Sequence, residues 1–197
     1  MSEKTYRRQF QKPLDFSKLN GEVIKAAIPQ SHSMIAVMDC SFVAKSGKKT
    51  FGLDQFYNGT QGRVEKGLEV SLVAVVDVET ETGYAVLAEQ TLTQKEFPAL
   101  TRMDYYLLHL ETVRPQLPSK VRYLAVDGYY AKESFVTGAS ALDLHVMSKL
   151  RCDANLRHVY TGMQKSRGAR RKYAGKVKLT DSTQLSWVRQ VQPGIDL

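Results

Sequence analysis

Residues 121–130 read VRYLAVDGYY: the apolar positions Val121, Leu124, Ala125 and Val126 lead into one carboxylate, Asp127, and Gly128 and two tyrosines follow it at once. A short apolar run bounded by a turn signal is the pattern of a strand buried in a sheet. Taking an unpaired carboxylate out of water costs several kcal/mol, so an acid at the tip of such a strand needs a partner, a metal ion or open water. The same design occurs earlier, in MIAVMDCSF (34–42), where Met34, Ile35, Ala36, Val37 and Met38 run up to Asp39. Two strands that each deliver an aspartate are the feature from which the fold is read.

Working outward, LEVSLVAVVDVET (68–80) is strongly β-branched, ETETG supplies turn chemistry, and YAVLAEQTLT (84–93) follows, which predicts a hairpin. The segment between it and the first strand (45–67), rich in Gly, Lys and aromatics, is expected to be a long surface loop or a loose hairpin. In TRMDYYLLHLETVRP (101–115) Met103, Tyr106, Leu107, Leu110 and Val113 form one helical stripe, with a capping-box start at Thr101 and Asp104 and a stop at Pro115. After Asp127, AKESFVTGASAL (131–142) suits a helix with Phe135, Val136, Ala139 and Leu142 on its apolar side despite Gly138, and LHVMSKLR (144–151) suits a fifth strand. Strand, helix, strand with short connections is a right-handed crossover between parallel neighbours. The predicted order is β, β, β, α, β, α, β. Upstream, DFSKLNGEVIKAAIPQ (15–30) is expected to form a short helix with Leu19, Val23, Ala26 and Ala27 on one side.

The 197 residues, 43% hydrophobic and 24% charged, suit one soluble globular core rather than disorder. The polar start of the chain lacks an apolar targeting segment and no run of about 18 apolar residues occurs, so no membrane span and no export are expected. Cys40 and Cys152, without CxxC spacing, point to a reducing cytoplasm and to no structural zinc. The net charge of +8 is local: residues 151–178 hold nine Lys or Arg against Asp153 alone, while basic and acidic residues balance elsewhere. Such a cluster is the footprint of a polyanion partner or, in the plainer case, a solvated loop. Lys45, Lys48 and Lys49 after the first strand are either further residues of a polyanion-facing side or solvated loop lysines. His145 reads as a hydrogen-bonded structural histidine and His109 as lying on the polar side of its helix. His32 and His158 show no metal-ligand spacing, and Asp77 illustrates how readily an acid ends an apolar run.

Two aspartates on separate strands of one sheet suit magnesium or manganese, which take hard oxygen ligands and keep positions for water and substrate phosphates. A pair of such ions about 4 Å apart serves phosphodiester cleavage. At this point the wording of the sequence is specific. MDCSFVAKSGKKTFGLDQFYNG (38–59), KGLEVSLVAVVDVETETGYAVLAEQT (66–91), YLAVDGYYAKESFV (123–136) and LHVMSKLRCDANLRHVYTG (144–162) resemble the catalytic domain of bacterial insertion-sequence transposases of the DDE class, over residues 34 to 178.

The resemblance implies an RNase H-like α/β fold: a mixed five-stranded sheet, three antiparallel strands followed by a parallel βαβ half. It implies Asp39 and Asp127 as the first two catalytic acids and metal ligands, two Mg2+ or Mn2+ ions as cofactors, and DNA as partner, at element ends and target, in a homodimer or higher synaptic assembly. In GARRKYAGK (168–176), where relatives tend to carry a GRPRKYDGK-like stretch, Arg171, Lys172, Tyr173 and Lys176 are kept; with Arg167 and Arg170 these basic residues are the expected DNA contacts. The family's third acid is a glutamate on a helix well downstream. Here Glu133 is the last glutamate, only Asp143, Asp153, Asp181 and Asp196 follow, and none is identified as the third acid. The expectation is a truncated or frame-shifted element, divided into an arm or linker (1–33), a catalytic core (34–151) and a basic segment with truncated end (152–197). A catalytically dead DNA-binding remnant and a non-transposase nuclease remain as alternatives.

Overall fold

The longest strand of the protein, β3 (Arg63–Asp77), carries valine, leucine or alanine at most of its 15 positions and no proline, and the sheet is assembled around it. The computed structural model describes every residue except 1, 12, 13, 48, 152, 153, 179, 182, 184–189, 193, 194 and 197, so Lys48, Cys152 and Asp153 lie outside the described residues. Along one edge β3 pairs antiparallel with β1 (Met34–Ala44), from Met34 opposite Asp77 to Ala44 opposite Gly67. Along the other edge it pairs with β2 (Asp54–Asn58) and then with β4 (Thr82–Gln90). β1 pairs in parallel with β5 (Tyr123–Val126), and β5 in parallel with β6 (His145–Ser148).

The sheet therefore has six strands, one more than the sequence predicts. The extra strand, β2, comes from the segment expected to be a loop or loose hairpin. Its Phe56 is fully buried, and that gain in burial fixes a stretch whose glycines and lysines disguise it. Gly67, paired to both Ala44 and Asp54, permits the crossing: a Cβ there would lie 2.4 Å from the Phe42 ring and 2.6 Å from the Val43 carbonyl.

Three helices cover one face. α3 (Arg102–Val113) begins with the expected capping box, Thr101 N donating to Asp104 Oδ2 at 2.8 Å, and buries Met103, Tyr106, Leu110 and Val113. Pro115 follows in a 3-10 turn, Arg114–Gln116, which ends the helix. α4 (Glu133–Ala141) makes the crossover between β5 and β6 and packs on α3 where a Cβ at Gly138 would sit 2.6 Å from Leu107. That glycine is a packing requirement rather than a defect.

Helix α2 (Phe16–Ala27), which follows the short α1 (Glu3–Phe10), is capped by Asp15 accepting from Lys18 N at 3.0 Å. Its buried face is Ser17, Gly21 and Ile24, with Ile28 just beyond, whereas Leu19 and Val23 are about half exposed and Ala26 and Ala27 lie outside. Closeness decides this face: a Cβ at Gly21 would approach Gln116 O to 3.1 Å, so small residues let the helix seat against the 3-10 turn.

The core joins Ile24 and Ile28 to Met34, Ala36 and Met38 of β1, Val73 and Val75 of β3, Val86 of β4, Leu124 of β5 and the inner residues of α3 and α4. His109 is part of this interior, not of a polar face: it is 1% exposed, with Nδ1 2.9 Å from Ser71 Oγ, and burial holds its pKa down to about 4. His145 is exposed, its ring 5.7 Å from that of Tyr123.

The chain divides into two compact units, Met1–Leu150 and Arg151–Leu197. In the second, β7 (Arg157–Val159) and β8 (Tyr173–Lys176) form an antiparallel hairpin, and β9 (Gln190–Gln192) pairs with β10 (Ile195–Asp196). Among the described residues no helix is long and apolar enough to cross a membrane.

Candidate functional site

Side chains on β1 alternate: Met34, Ala36 and Met38 face the helices, so Ile35, Val37 and Asp39 face the other way. On β5 Leu124 faces the helices, which puts Tyr123 and Ala125 on the opposite side. The parallel ladder pairs Ala36 with Leu124 and Val37 with Ala125. Asp39 and Asp127 lie the same 88 positions apart, two residues beyond the last of these pairs, and Asp127 keeps extended backbone (φ −74°, ψ 174°), so both acids follow their strands on the face away from the helices. Leu72 of β3 stands opposite Asp39 in the same row.

Both aspartates are exposed. Asp127 Oδ1 accepts from Tyr129 N at 2.9 Å, the cap of a 3-10 turn at Gly128–Tyr130, and Ser148 Oγ donates to the Asp127 carbonyl at 2.8 Å. Neither carboxylate is ion-paired among the described residues, and Asp39 has no hydrogen-bond partner there. Two exposed carboxylates on neighbouring strands offer oxygen ligands of the kind a hard divalent cation takes.

Beneath this row, on the helix side, lies a polar layer that sequence reasoning missed. Tyr106 Oη donates to Glu69 Oε1 at 2.6 Å, and Tyr130 Oη lies 3.0 Å from Cys40 Sγ. Burial drives the Cys40 thiol and both phenols upward in pKa, so all three stay protonated at neutral pH. The signal was faint because Cys40 and Tyr130, Glu69 and Tyr106, meet only across the fold.

A second cluster sits at the start of β1. His32 Nδ1 is 2.8 Å from Asp77 Oδ2, Glu79 takes Ser33 N on both oxygens at 2.8 Å, and ligand atoms of His32, Asp77 and Glu79 all fall within 4.8 Å of one another. Among the described residues this is the one such group of three metal-capable side chains, so the Asp39–Asp127 pair has no third member of that kind there. Burial pushes the Asp77 carboxyl up, but hydrogen bonds from His32 and Thr80 outweigh it and bring it down to about 2. Spacing along the chain hid this group, because His32 reaches Asp77 through the pairing of Met34 with Asp77.

In the second unit, the loop between β7 and β8 carries the basic residues. Arg171 is engaged within the hairpin: its guanidinium lies 4.7 Å from the Tyr160 ring centroid, and its Nε donates to Tyr173 O at 3.0 Å. Gln164 braces the same residue twice, accepting from Arg171 N at 2.9 Å and donating to Arg171 O at 2.8 Å. Arg167, Arg170, Lys172 and Lys176 are exposed, and their side chains make no hydrogen bond or ion pair among the described residues.

No protein-family model matches the chain, and no curated protein matches it. Among solved structures the chain is similar to the cryo-EM structure of a piggyBac transposase synaptic complex with hairpin DNA, at 11% identity and a TM-score of 0.42. The similarity covers 60% of this chain and 23% of that one, so the chain corresponds to about a quarter of the neighbour's length.

Proposed function

We infer that the chain is an RNase H-like catalytic core of a DDE-class transposase, acting on DNA with a divalent metal. The observation that carries this reading is that adjacent parallel strands, in register up to Val37 and Ala125, each lead into an exposed aspartate, Asp39 and Asp127. Strand order supports it too: an antiparallel meander of β1, β3 and β4 joined through β1 to a parallel β5–α4–β6 crossover is the arrangement that the resemblance implies.

In this reading Asp39 and Asp127 would hold Mg2+ or Mn2+, and such an ion, when bound, would supply Lewis acidity to the attacking and leaving oxygens. The protein's own part is rigidity and position: Asp39 sits in the middle of the central strand, and Asp127 is fixed by Tyr129 N and Ser148 Oγ. Water or the 3′ hydroxyl of a cleaved end would be the nucleophile, first for strand cleavage and then for transfer to target DNA. Arg167, Arg170, Lys172 and Lys176 would pair with phosphates, while Arg171 shapes the loop that presents them.

One observation favours a second reading. Since no third carboxylate joins the pair among the described residues, a catalytically inert DNA-binding remnant of the same fold fits the site as well. The two are separated by Mn2+ titration and by nicking of supercoiled duplex DNA. The catalytic reading expects Mn2+ binding that is lost in Asp127→Ala, with nicking lost alongside it. Mn2+ binding equal in wild type and variant overturns the metal assignment; binding without nicking selects the remnant.

A further inference from the structure

The hydrogen-bonded ladder between β1 and β5 stops short of the acids. Its pairs are Ala36 with Leu124 and Val37 with Ala125, and Asp39 and Asp127 lie two positions further on. At their level the backbone pairing no longer fixes how far apart the strands stand. A metal site tolerates little drift, on the order of 0.5 Å.

What spans the gap is a pair of side chains on the opposite face. Asp127 opens the 3-10 turn Gly128–Tyr130, and the phenol of Tyr130 returns to β1, where its Oη lies 3.0 Å from Sγ of Cys40, the residue next to Asp39. The turn is tied to its own acid, with Tyr130 N donating to Asp127 O at 3.2 Å and Tyr129 N to Asp127 Oδ1. The Tyr130 ring is held in the core against Phe135 and Tyr106, at centroid distances of 5.0 and 5.2 Å. Ser148 anchors Asp127 toward β6, on the side away from β1. Among the hydrogen bonds of the described residues, the contact of Tyr130 with Cys40 is the one that joins the Asp127 turn to the Asp39 strand.

We propose that Tyr130 and Cys40 form a latch that sets the spacing of Asp39 and Asp127, making both positioning residues of the metal site. This rests on the metal reading of the aspartate pair, and it deepens that reading by naming what regulates the pair's geometry. A phenol–thiol hydrogen bond is weak, which suits the part: it adds little to overall stability yet biases one local distance.

The experiment uses the full chain and two readouts. Mn2+ binding is followed by electron paramagnetic resonance in a Glu79→Gln background, which removes a ligand from the second cluster, and amide hydrogen exchange is followed at residues 127–130. Tyr130→Phe keeps the packed ring and removes only the hydroxyl; it is expected to weaken Mn2+ binding about threefold to tenfold and to speed exchange of the Tyr129 amide by a similar factor. Cys40→Ala should match it, the double variant should add no further loss, and Cys40→Ser should restore part of the affinity. Unchanged Tyr129 exchange in Tyr130→Phe overturns the latch, whatever the metal does. Faster exchange with unaltered Mn2+ affinity overturns its positioning role. Failure of the metal reading has a separate signature, Mn2+ binding that Asp127→Ala leaves intact.

Discussion

Carboxylates gather at the start of β1 and again at its middle, and the protein treats the two groups in opposite ways. At the start of the strand Asp77 is 2% exposed and bonded to His32 and Glu79 N, Glu79 is bonded to Ser33 N, and Lys120 Nζ donates to the carbonyl of Gln30 at 2.8 Å and to that of His32. At its middle Asp39, and on the neighbouring strand's end Asp127, are exposed, and of the two carboxylates only that of Asp127 accepts a hydrogen bond among the described residues, from Tyr129 N. An acid that the protein has already satisfied serves the fold. An exposed acid with few or no partners gives the fold no such return, which is why the second pair is read as a site.

That contrast predicts the largest difference in stability. Asp77→Ala leaves His32 and the Glu79 amide without their buried acceptor and is expected to lower Tm by roughly 5–10 °C. Asp39→Asn and Asp127→Asn, which remove charge from an open surface, are expected to leave Tm within about 2 °C or raise it slightly. A larger loss at Asp39 or Asp127 than at Asp77 would reverse the assignment of structural and functional groups.

Acid unfolding sharpens the same comparison. His109 takes up a proton near 6.5 when unfolded but only near 4 in the core, so its contribution is full above pH 6.5 and is lost as the pH falls from 6.5 to 4, on the order of 3 kcal/mol at most. Asp77 behaves differently: its depressed pKa stabilises the fold above pH 3.8, and that part disappears as the pH falls through 2. Urea midpoints measured across pH are therefore expected to decline in two stages. His109→Gln should flatten the upper one and Asp77→Asn the lower. Exposed Asp39 and Asp127, replaced by Asn, should leave both stages in place.

Much of this was legible in the chain itself, and what was not has a common cause. The α3 stripe, its Thr101–Asp104 cap and the β5–α4–β6 crossover follow from neighbours a few residues apart, and the structure has them. Two apolar runs that each end on an aspartate are visible in the chain, and the structure sets those runs in parallel neighbouring strands with both acids exposed. By contrast His32 with Asp77, Cys40 with Tyr130, and the inner face of α2 depend on contacts made only when distant segments meet. Residues 45–67 were legible in part: of the loop and the hairpin it is the hairpin that forms, 54–58 against 63–67, and its regular order comes from burying Phe56 and from the bare Cα of Gly67, neither of which is visible as periodicity.

Metal binding tests the contrast directly. With Asp39→Asn or Asp127→Asn, Mn2+ affinity is expected to fall at least about tenfold, since a two-acid site loses half its charge. Glu79→Gln is expected to change it by less than about twofold, because that cluster's oxygens are already occupied by backbone and imidazole donors. If Glu79→Gln or His32→Ala removes the binding instead, the cation belongs at the start of β1 and the aspartate pair loses its assignment.

The smallest expected effect repeats the contrast between engaged and open groups in the basic hairpin. Arg171 is held by Tyr160, Tyr173 O and Gln164, while Arg167 and Arg170 point to no partner among the described residues. Replacing Arg167 and Arg170 by Ala should weaken duplex DNA binding and reduce the slope of log K against log salt by about 2, one phosphate contact each. Arg171→Ala should instead speed amide exchange in the loop between β7 and β8, with a fall in affinity that Arg171→Lys does not restore, since an ammonium cannot stack and donate in the guanidinium's plane. A salt slope that falls by the same amount in Arg171→Ala as in Arg170→Ala, with exchange unchanged, would mean that the arginine leaves Tyr160 to meet phosphate, and its bonded state would then be the resting form of a DNA contact.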